Sequence, residues 1–476
     1  MTHPIPLTHH ATRRSRPPNI VLILIDDLGW RDLACSGSPF YLTPRLDRLA
    51  AEGMRFTAAY AACPVCSPTR ASIMTGKYPA RLGLTNYIGG QARGRLLDAP
   101  YIDHLALEET SLASALREGG YATWHVGKWH LGDASYGPER HGFDVNVAGC
   151  AWGHPHNGYF SPWGIPGLPN GPPGQELTDR LTDEAIARVR GAGDRPFFLN
   201  LWHYAVHTPI EAAPALVERF RARAADLGLD GIAAVRAGEP FPCEHKRHLR
   251  VTRRIVQSDP AYAAMVHNLD RNVGRLLDTL EECGLVDDTL VLFTSDNGGL
   301  ATSEGAPTSN LPLAEGKGWC YEGGTRVPLV VRWPGHASPG EVCDTPVVST
   351  DVYPTLLAAA GLPARPDQHV DGVSLVPLLL GARRLERDAI FWHYPHYGNQ
   401  GGTPASAVRM GDHKLIEFHE DGRLELYNLS DDPGETRDRA AIEPDRAARM
   451  RARLAAWRDS VCARIPAPNP NWQPAL

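Results

Sequence analysis

The chain has 476 residues, 43% hydrophobic and 21% charged, with a formal net charge of −6. That length supports one large globular domain and a smaller one around a sizeable core. The small charge imbalance, without a basic block or an aromatic-interleaved Lys/Arg stripe, argues against nucleic acid as a partner, and no apolar run is long enough for a membrane span.

Residues 1–18 read as a flexible N-terminal segment. It carries Arg13, Arg14 and Arg16 but no apolar run behind them to form a signal core. The expected location of the chain as written is the cytoplasm, or the periplasm if the native start differs. In a reducing compartment its nine cysteines are expected to stay thiols unless modified.

The first predicted strand is Asn19 to Ile25. A helix follows over Thr43 to Gly53, with Thr43 as N-cap and Gly53 as stop, and another over Ser67 to Gly76, with Pro68 in its first turn. Further helices are predicted at Ser111 to Gly119, Thr178 to Arg190, Tyr262 to Cys283 and Asp351 to Ala360. Strands are predicted at Phe197 to Trp202, Leu290 to Thr294 and Val327 to Arg332. This alternation predicts an α/β fold, a large and mostly parallel sheet flanked by helices, over residues 19–386. Residues 148–174 and 213–260 read as irregular excursions over a binding face. From residue 387 the pattern changes to strands at Ser406 to Met410, Lys414 to His419 and Leu424 to Asn428, then a helix from Ile442 to Cys462. Residues 387–476 are therefore expected to form a smaller C-terminal subdomain of antiparallel sheet plus helix.

Ligands of open α/β sheets bind beyond the carboxyl ends of the strands. Asn19 to Ile25 runs straight into Asp26-Asp27, and Leu290 to Thr294 into Ser295-Asp296-Asn297. Three carboxylates and an amide oxygen at one edge make a hard, all-oxygen site suited to calcium or magnesium rather than zinc. An acidic pair at a single strand end is more often a turn or a cap; the second acidic strand end favours the cation.

Cys66 opens the run Cys66-Ser67-Pro68-Thr69-Arg70. Cys63-Pro64-Val65-Cys66 is also a C-x-x-C, the spacing of a redox pair or half a zinc site, but no second such motif exists and the other cysteines are scattered singly. The run resembles the C-x-P-x-R element of sulfatases, in which a maturation enzyme oxidises the cysteine to Cα-formylglycine. The resemblance extends through Gly127-Lys128-Trp129-His130-Leu131-Gly132, His207-Thr208-Pro209, Gly316-Lys317-Gly318 and Tyr321-Glu322-Gly323-Gly324-Thr325-Arg326. It implies an alkaline phosphatase-like fold and one divalent cation, calcium or alternatively magnesium, shared by Asp26, Asp27, Asp296, Asn297 and the formylglycine at Cys66. It also implies a formylglycine-generating partner. Arg70, Lys128 and Lys317 would neutralise charge on the sulfate. Asp296 would deprotonate the attacking hydroxyl of the aldehyde hydrate, His130 would expel the sulfate through the second hydroxyl, and His207 or Lys317 would protonate the leaving alcohol. The family's small polar residue after the Lys-Trp-His segment has no certain equivalent in Gly149-Cys150-Ala151-Trp152, and Cys150 receives no role.

Trp152, His154 and His156, with His393, His396 and Tyr397, offer aromatic and polar groups for a sugar ring; fastening the C-terminal subdomain is the alternative use of the latter three. Gly142-Phe143-Asp144, Gly158-Tyr159-Phe160-Ser161-Pro162 and the His-Tyr-Pro-His stretch resemble bacterial carbohydrate sulfatases most. The expected substrate is a sulfated mono- or oligosaccharide. The competing readings are a phosphonate monoester or phosphodiester hydrolase of the same superfamily, and a sulfated-glycan-binding protein without turnover.

Overall fold

A computed structural model describes residues 16–473. Most of the expected N-terminal segment 1–18 lies outside the described residues. An eight-stranded sheet forms the centre, in the spatial order Val342–Cys343, Met54–Phe56, Leu329–Arg332, Thr289–Ser295, Asn19–Ile25, Phe197–Trp202, Ala122–Gly127 and Val145–Val147. Five neighbouring pairs are parallel. Leu329–Arg332 runs antiparallel to both its neighbours, so the sheet is mixed on that side.

The period of two explains how the central strand is held. Val21, Ile23 and Ile25 face one core, with Leu181, Leu269 and Val273, and Ile20, Leu22 and Leu24 face the other, with Ile73, Leu116 and Leu356. Helices Pro44–Glu52, Leu177–Arg190 and Pro260–Glu282 contribute to the first layer. Cys66–Thr75, Leu112–Glu118 and Val352–Ala359 contribute to the second. A strand buried on both faces has no polar side to show, hence its unbroken apolar run.

Residues 213–260 differ from the irregular excursion expected. They contain the helix Pro214–Asp226 and a two-stranded ribbon, Val235–Pro240 with Arg250–Arg254. The helix buries only Phe220 and Ala224, and the first ribbon strand is largely exposed, so neither shows a strong apolar period.

The C-terminal sheet has four antiparallel strands, Ile390–Tyr394, Ala405–Met410, His413–Phe418 and Leu424–Asn428, followed by the helix Pro444–Ser460. The first strand places His393 in the sheet rather than on a binding loop. Its Nδ1 meets Ser406 Oγ at 2.7 Å and its Nε2 meets the Arg464 carbonyl at 3.0 Å. His396 is likewise consumed, by Asp98 at 2.6 Å and Thr85 Oγ1 at 2.8 Å. Tyr397 gives its hydroxyl to Glu420 at 2.6 Å. These side chains fasten elements together, and none of the three lines the cleft beside Cys66.

The C-terminal sheet is joined to the main domain by packing and charge. Trp392 stacks edge-on against Tyr60 and donates its indole N–H to the Ala61 carbonyl at 2.8 Å. Lys414 Nζ sits 3.0 Å from both Glu322 and Glu435, and all three side chains are fully buried. Glu322 begins the short helix Glu322–Thr325, five residues after Lys317.

Replacing Lys414 by Met leaves buried Glu435 without its cation and leaves Glu322 to Arg326 at 3.6 Å, and should lower the unfolding free energy by about 3–5 kcal/mol in denaturant titrations. A second expectation concerns pH. Burial holds His393 down at about 3, with His419 adding to the effect, so the unfolded chain binds its proton first as pH falls. The stability His393 contributes is present above the unfolded value and lost below it. The gap between wild type and His393→Gln should therefore narrow by about 2 kcal/mol from pH 7.5 to pH 5.

Candidate active site

Four neighbouring parallel strands deliver their chain ends to one edge of the sheet. Asn19–Ile25 leads into Asp26 and Asp27, Thr289–Ser295 into Asp296 and Asn297, Ala122–Gly127 into Lys128, and Phe197–Trp202 towards His207. Successive residues of an extended strand point to opposite sides. Asp27 escapes this by adopting φ 62°, a left-handed conformation that Asp tolerates better than most residues. Gly127 is required by a close approach: at φ 109°, a Cβ there would meet the Trp202 carbonyl oxygen at 1.9 Å. That approach lets the Lys128 N–H donate to the same carbonyl at 2.8 Å and seats Lys128 at the edge.

Cys66 is the first residue of the helix Cys66–Thr75, all ten residues of which are buried. Thr69 closes the loop before it, accepting the Cys63 N–H at 3.1 Å and donating to the Cys63 carbonyl at 3.0 Å. Cys63 directs its sulfur to the Thr85 carbonyl and Cys66 directs its own to His130, and both are free thiols. The C-x-x-C is therefore neither a disulfide nor half of a four-cysteine site here. Cys66 takes the helix N-terminus, where unpaired backbone N–H groups favour negative charge.

The acids form one buried network. Lys128 Nζ lies 2.6 Å from Asp26 Oδ2, and Lys317 Nζ lies 2.8 Å from Asp27 Oδ2. Arg70 gives Nε and Nη2 to Asp296 Oδ2 at 2.9 and 2.6 Å and Nη1 to the Lys128 carbonyl. Its guanidinium also stands over the Trp202 ring. Arg70 therefore does not reach into the cleft as expected from sequence; it is fully buried and holds Asp296. Asn297 Nδ2 donates to Asp27 Oδ1 at 2.8 Å, and Asp296 Oδ1 accepts the Asp27 N–H at 3.2 Å.

Two oxygens stand apart from this network. Asp26 Oδ1 and Asn297 Oδ1 are buried without a hydrogen-bond partner; Arg70 Nη2 stands 3.7 Å from the former. Orphaned buried acceptors are rare and require an explanation. Burial drives the Asp26 carboxyl up, against the pull of Lys128, with Asp296 and Asp27 adding to the rise. Burial works the same way on Asp27, but Lys317 and His207 outweigh it and hold that carboxyl low. A divalent cation fits this donor set: it would satisfy both orphaned oxygens and offset the charge that strains Asp26. Ligand atoms of Asp26, Asp27 and His207 also lie within 4.8 Å of one another.

His130 Nε2 faces the Ile88 carbonyl at 3.3 Å, and Nδ1 faces Cys66 Sγ at 3.4 Å. A carbonyl can only accept, so the neutral ring carries its proton on Nε2 and presents the Nδ1 lone pair to position 66. Burial, then Lys128 and Arg70, push His130 well below the ordinary imidazole range. Burial and Lys317 do the same to His207. Burial pushes the Cys66 thiol up, against Lys128 and Lys317.

Above Cys66 opens a cleft of about 380 Å³, lined by Cys66, His130, His207 and Lys317 at its base. Trp152 and His154 line its wall. Trp152 stacks on His156 with ring centroids 4.0 Å apart, and His154 lies near-parallel to His207 at 6.0 Å. Tyr87, Glu304, Asn399 and Gln400 also line it and were not singled out from sequence. They sit in loops whose composition carries no signal of a site.

The Sulfatase family model matches residues 18–362, and the model for the N-sulphoglucosamine sulphohydrolase C-terminal region matches residues 316–457. Human (Homo sapiens) arylsulfatase A is 35% identical over 460 residues, covering 88% of this chain and 83% of its own length. Human N-acetylgalactosamine-6-sulfatase is 32% identical over 430 residues, covering 85% of this chain and 72% of its own length. The solved structure of Ps i-CgsB in complex with k-i-k-neocarrahexaose is 28% identical and superimposes with a TM-score of 0.74 over 93% of each chain. Together with the acid cluster and the cysteine at the helix N-terminus, these likenesses show that the chain belongs to the sulfatase family, hydrolases of sulfuric esters.

Proposed function

We propose that this sulfatase removes sulfate from a carbohydrate, using a formylglycine made from Cys66 by a maturation enzyme and one divalent cation, calcium by preference. The observation that carries the reading is Cys66 at a helix N-terminus, facing an unprotonated His130 nitrogen beside a buried acid cluster with two unsatisfied oxygens. A relative named for a sulfated sugar, N-acetylgalactosamine-6-sulfatase, supports the choice of substrate. The aromatic wall of Trp152, His154 and His156 supports it independently, as stacking surface for a sugar ring.

Asp26, Asp27, Asp296 and Asn297 would hold the cation, whose Lewis acidity supplies charge neutralisation at the sulfate oxygens. Sγ of Cys66 marks the place of the formylglycine oxygens; the hydrate of that aldehyde supplies one hydroxyl to attack sulfur and a second to release sulfate. His130 Nδ1 stands ready to take a proton at position 66, because its Nε2–H is committed to Ile88. Asp296 is held by Arg70 through Oδ2, which leaves Oδ1 as its oxygen with spare acceptor capacity.

The geometry favours Lys317 over His207 as the group that protonates the leaving alcohol. His207 Nδ1 bonds the Thr208 carbonyl at 2.9 Å, so a second proton would sit on Nε2, which faces Asp27 at 3.7 Å. Lys317 has three N–H groups and commits one of them to Asp27. Lys128, fully buried on Asp26, supports the site electrostatically from behind.

Peptide mass spectrometry across position 66, on protein made in a host with the maturation enzyme, should show the loss of sulfur that conversion to the aldehyde entails; a fully unmodified thiol in active enzyme would sink the proposal. Cys66→Ala should abolish desulfation of sulfated sugars while leaving the melting temperature close to wild type. Side-by-side rates on an aryl phosphodiester report the rival specificity. Asp296→Ala should lose both the cation, measured by elemental mass spectrometry, and the activity.

A further inference from the structure

The mouth of the cleft is uneven in charge. Among the described residues lining it, Glu304 is the one carboxylate and Lys317 the one lysine or arginine. Lys317 is committed to Asp27 at the base. Glu304 itself is exposed, and its negative charge acts on Lys317 and His154 in the same lining.

The loop that presents Glu304 is held in an unusual conformation. Ser303, Glu304, Gly305 and Ala306 have φ values of 52°, 46°, 88° and 39° in succession. Residues with a Cβ rarely enter that region, and runs of them persist only where the surroundings enforce it. One restraint is Gln400, whose Nε2 donates to the Glu304 carboxylate at 2.6 Å. Gln400 is fixed in turn: it is 3% exposed, and its carbonyl accepts the Trp319 indole N–H at 3.1 Å. Its side-chain oxygen occupies the space that a Cβ on Gly318 would need.

The neighbouring amide is committed in the same sense. Asn399 gives Nδ2 to the Tyr87 hydroxyl at 2.7 Å. Both amides are thus committed to neighbours in the same lining, Glu304 and Tyr87, and among the described residues the exposed Glu304 carboxylate is the one negative side chain that the rim presents to a ligand. Such a rim matches the hydroxyl or ammonium donors of a sugar. It opposes a second sulfate or a uronate carboxylate, each an acceptor carrying like charge.

We propose that Glu304 determines specificity by restricting the enzyme to sulfate esters whose neighbouring groups are neutral or cationic, and by rejecting those with a second anionic group beside the reacting sulfate. This rests on the sulfatase reading above and goes beyond it by naming the substrate class. Like charges a few ångströms apart at a partly screened surface change a rate ratio on the order of ten-fold.

The test compares kcat/KM for a monosulfated disaccharide and for its counterpart with a second sulfate on the adjoining sugar, using fully converted enzyme. Wild type should favour the monosulfated sugar, and the preference should shrink as ionic strength rises from about 0.02 to about 0.5 M. E304Q should raise the disulfated-to-monosulfated ratio on the order of ten-fold and remove most of its salt dependence. The ratio is internal to each protein, so partial misfolding or incomplete conversion of Cys66 cancels from it. A ratio unchanged in E304Q, or a wild type that prefers the disulfated sugar, overturns the role of Glu304 and leaves the sulfatase activity standing. A wild type inert towards every sulfate ester removes both.

Discussion

Three carboxylates, Asp26, Asp27 and Asp296, lie side by side with at most 1% of each exposed, and the rest of the structure answers to that fact. Buried acids so close together cannot all ionise unless cations stand against them. The chain supplies three, each from a different place: Lys128 from the end of a strand, Arg70 from the helix that begins at Cys66, and Lys317 from the long loop after Asp296. Each brings a residue of the cleft base with it. Arg70 fixes the helix on which Cys66 sits, and the residue after Trp129 is His130. The same ion pairs that make the acid cluster tolerable therefore set the relative positions of Cys66 and His130.

The constraint extends into the C-terminal sheet. Lys317 lies on a loop, and a loop alone does not hold an ammonium within hydrogen-bonding distance of a buried carboxylate. The segment that follows is anchored by packing, since a Cβ on Gly298 would stand 1.8 Å from the Gly323 carbonyl oxygen. It is anchored again by Glu322, whose carboxylate is buried against Lys414 of the C-terminal sheet. The antiparallel sheet thus holds one wall of the cleft from behind. His393 and His396 belong to this support: their ring nitrogens are taken by Ser406, Arg464, Asp98 and Thr85.

What the sequence disclosed follows from these physical differences. The central strands were legible because burial on both faces demands an uninterrupted apolar run, and the acids were legible because they follow those runs directly. The direction of Arg70 was not. An arginine one helical turn from a cysteine is equally able to face an anion or a buried acid, and only the arrival of Asp296 from 226 residues away decides it. The strand Ile390–Tyr394 was hidden because its aromatic and histidine content suits a sugar site as well as a sheet. Its β-rich run, Ile390-Phe391-Trp392, was the available signal. Glu304, Asn399 and Gln400 carry no local pattern at all; they reach the cleft through turns whose geometry depends on partners distant in sequence.

The two ends of the cleft consequently obey different rules. At the base every charged side chain is bound to another, so replacing one disturbs the whole cluster, and freedom to vary is small. At the rim, Glu304, Asn399, Trp152 and His156 hang on loops, partly exposed, and their replacement leaves the acid cluster intact. Chemistry common to a family can then remain fixed while a few loop residues at the rim vary. A cleft of about 380 Å³ lies near the lower end of the range for small-molecule sites, so little of the ligand escapes contact with that rim. Under the proposed reading, selectivity for the groups around the sulfate falls to these loops, and sequence motifs at the base carry no information about it.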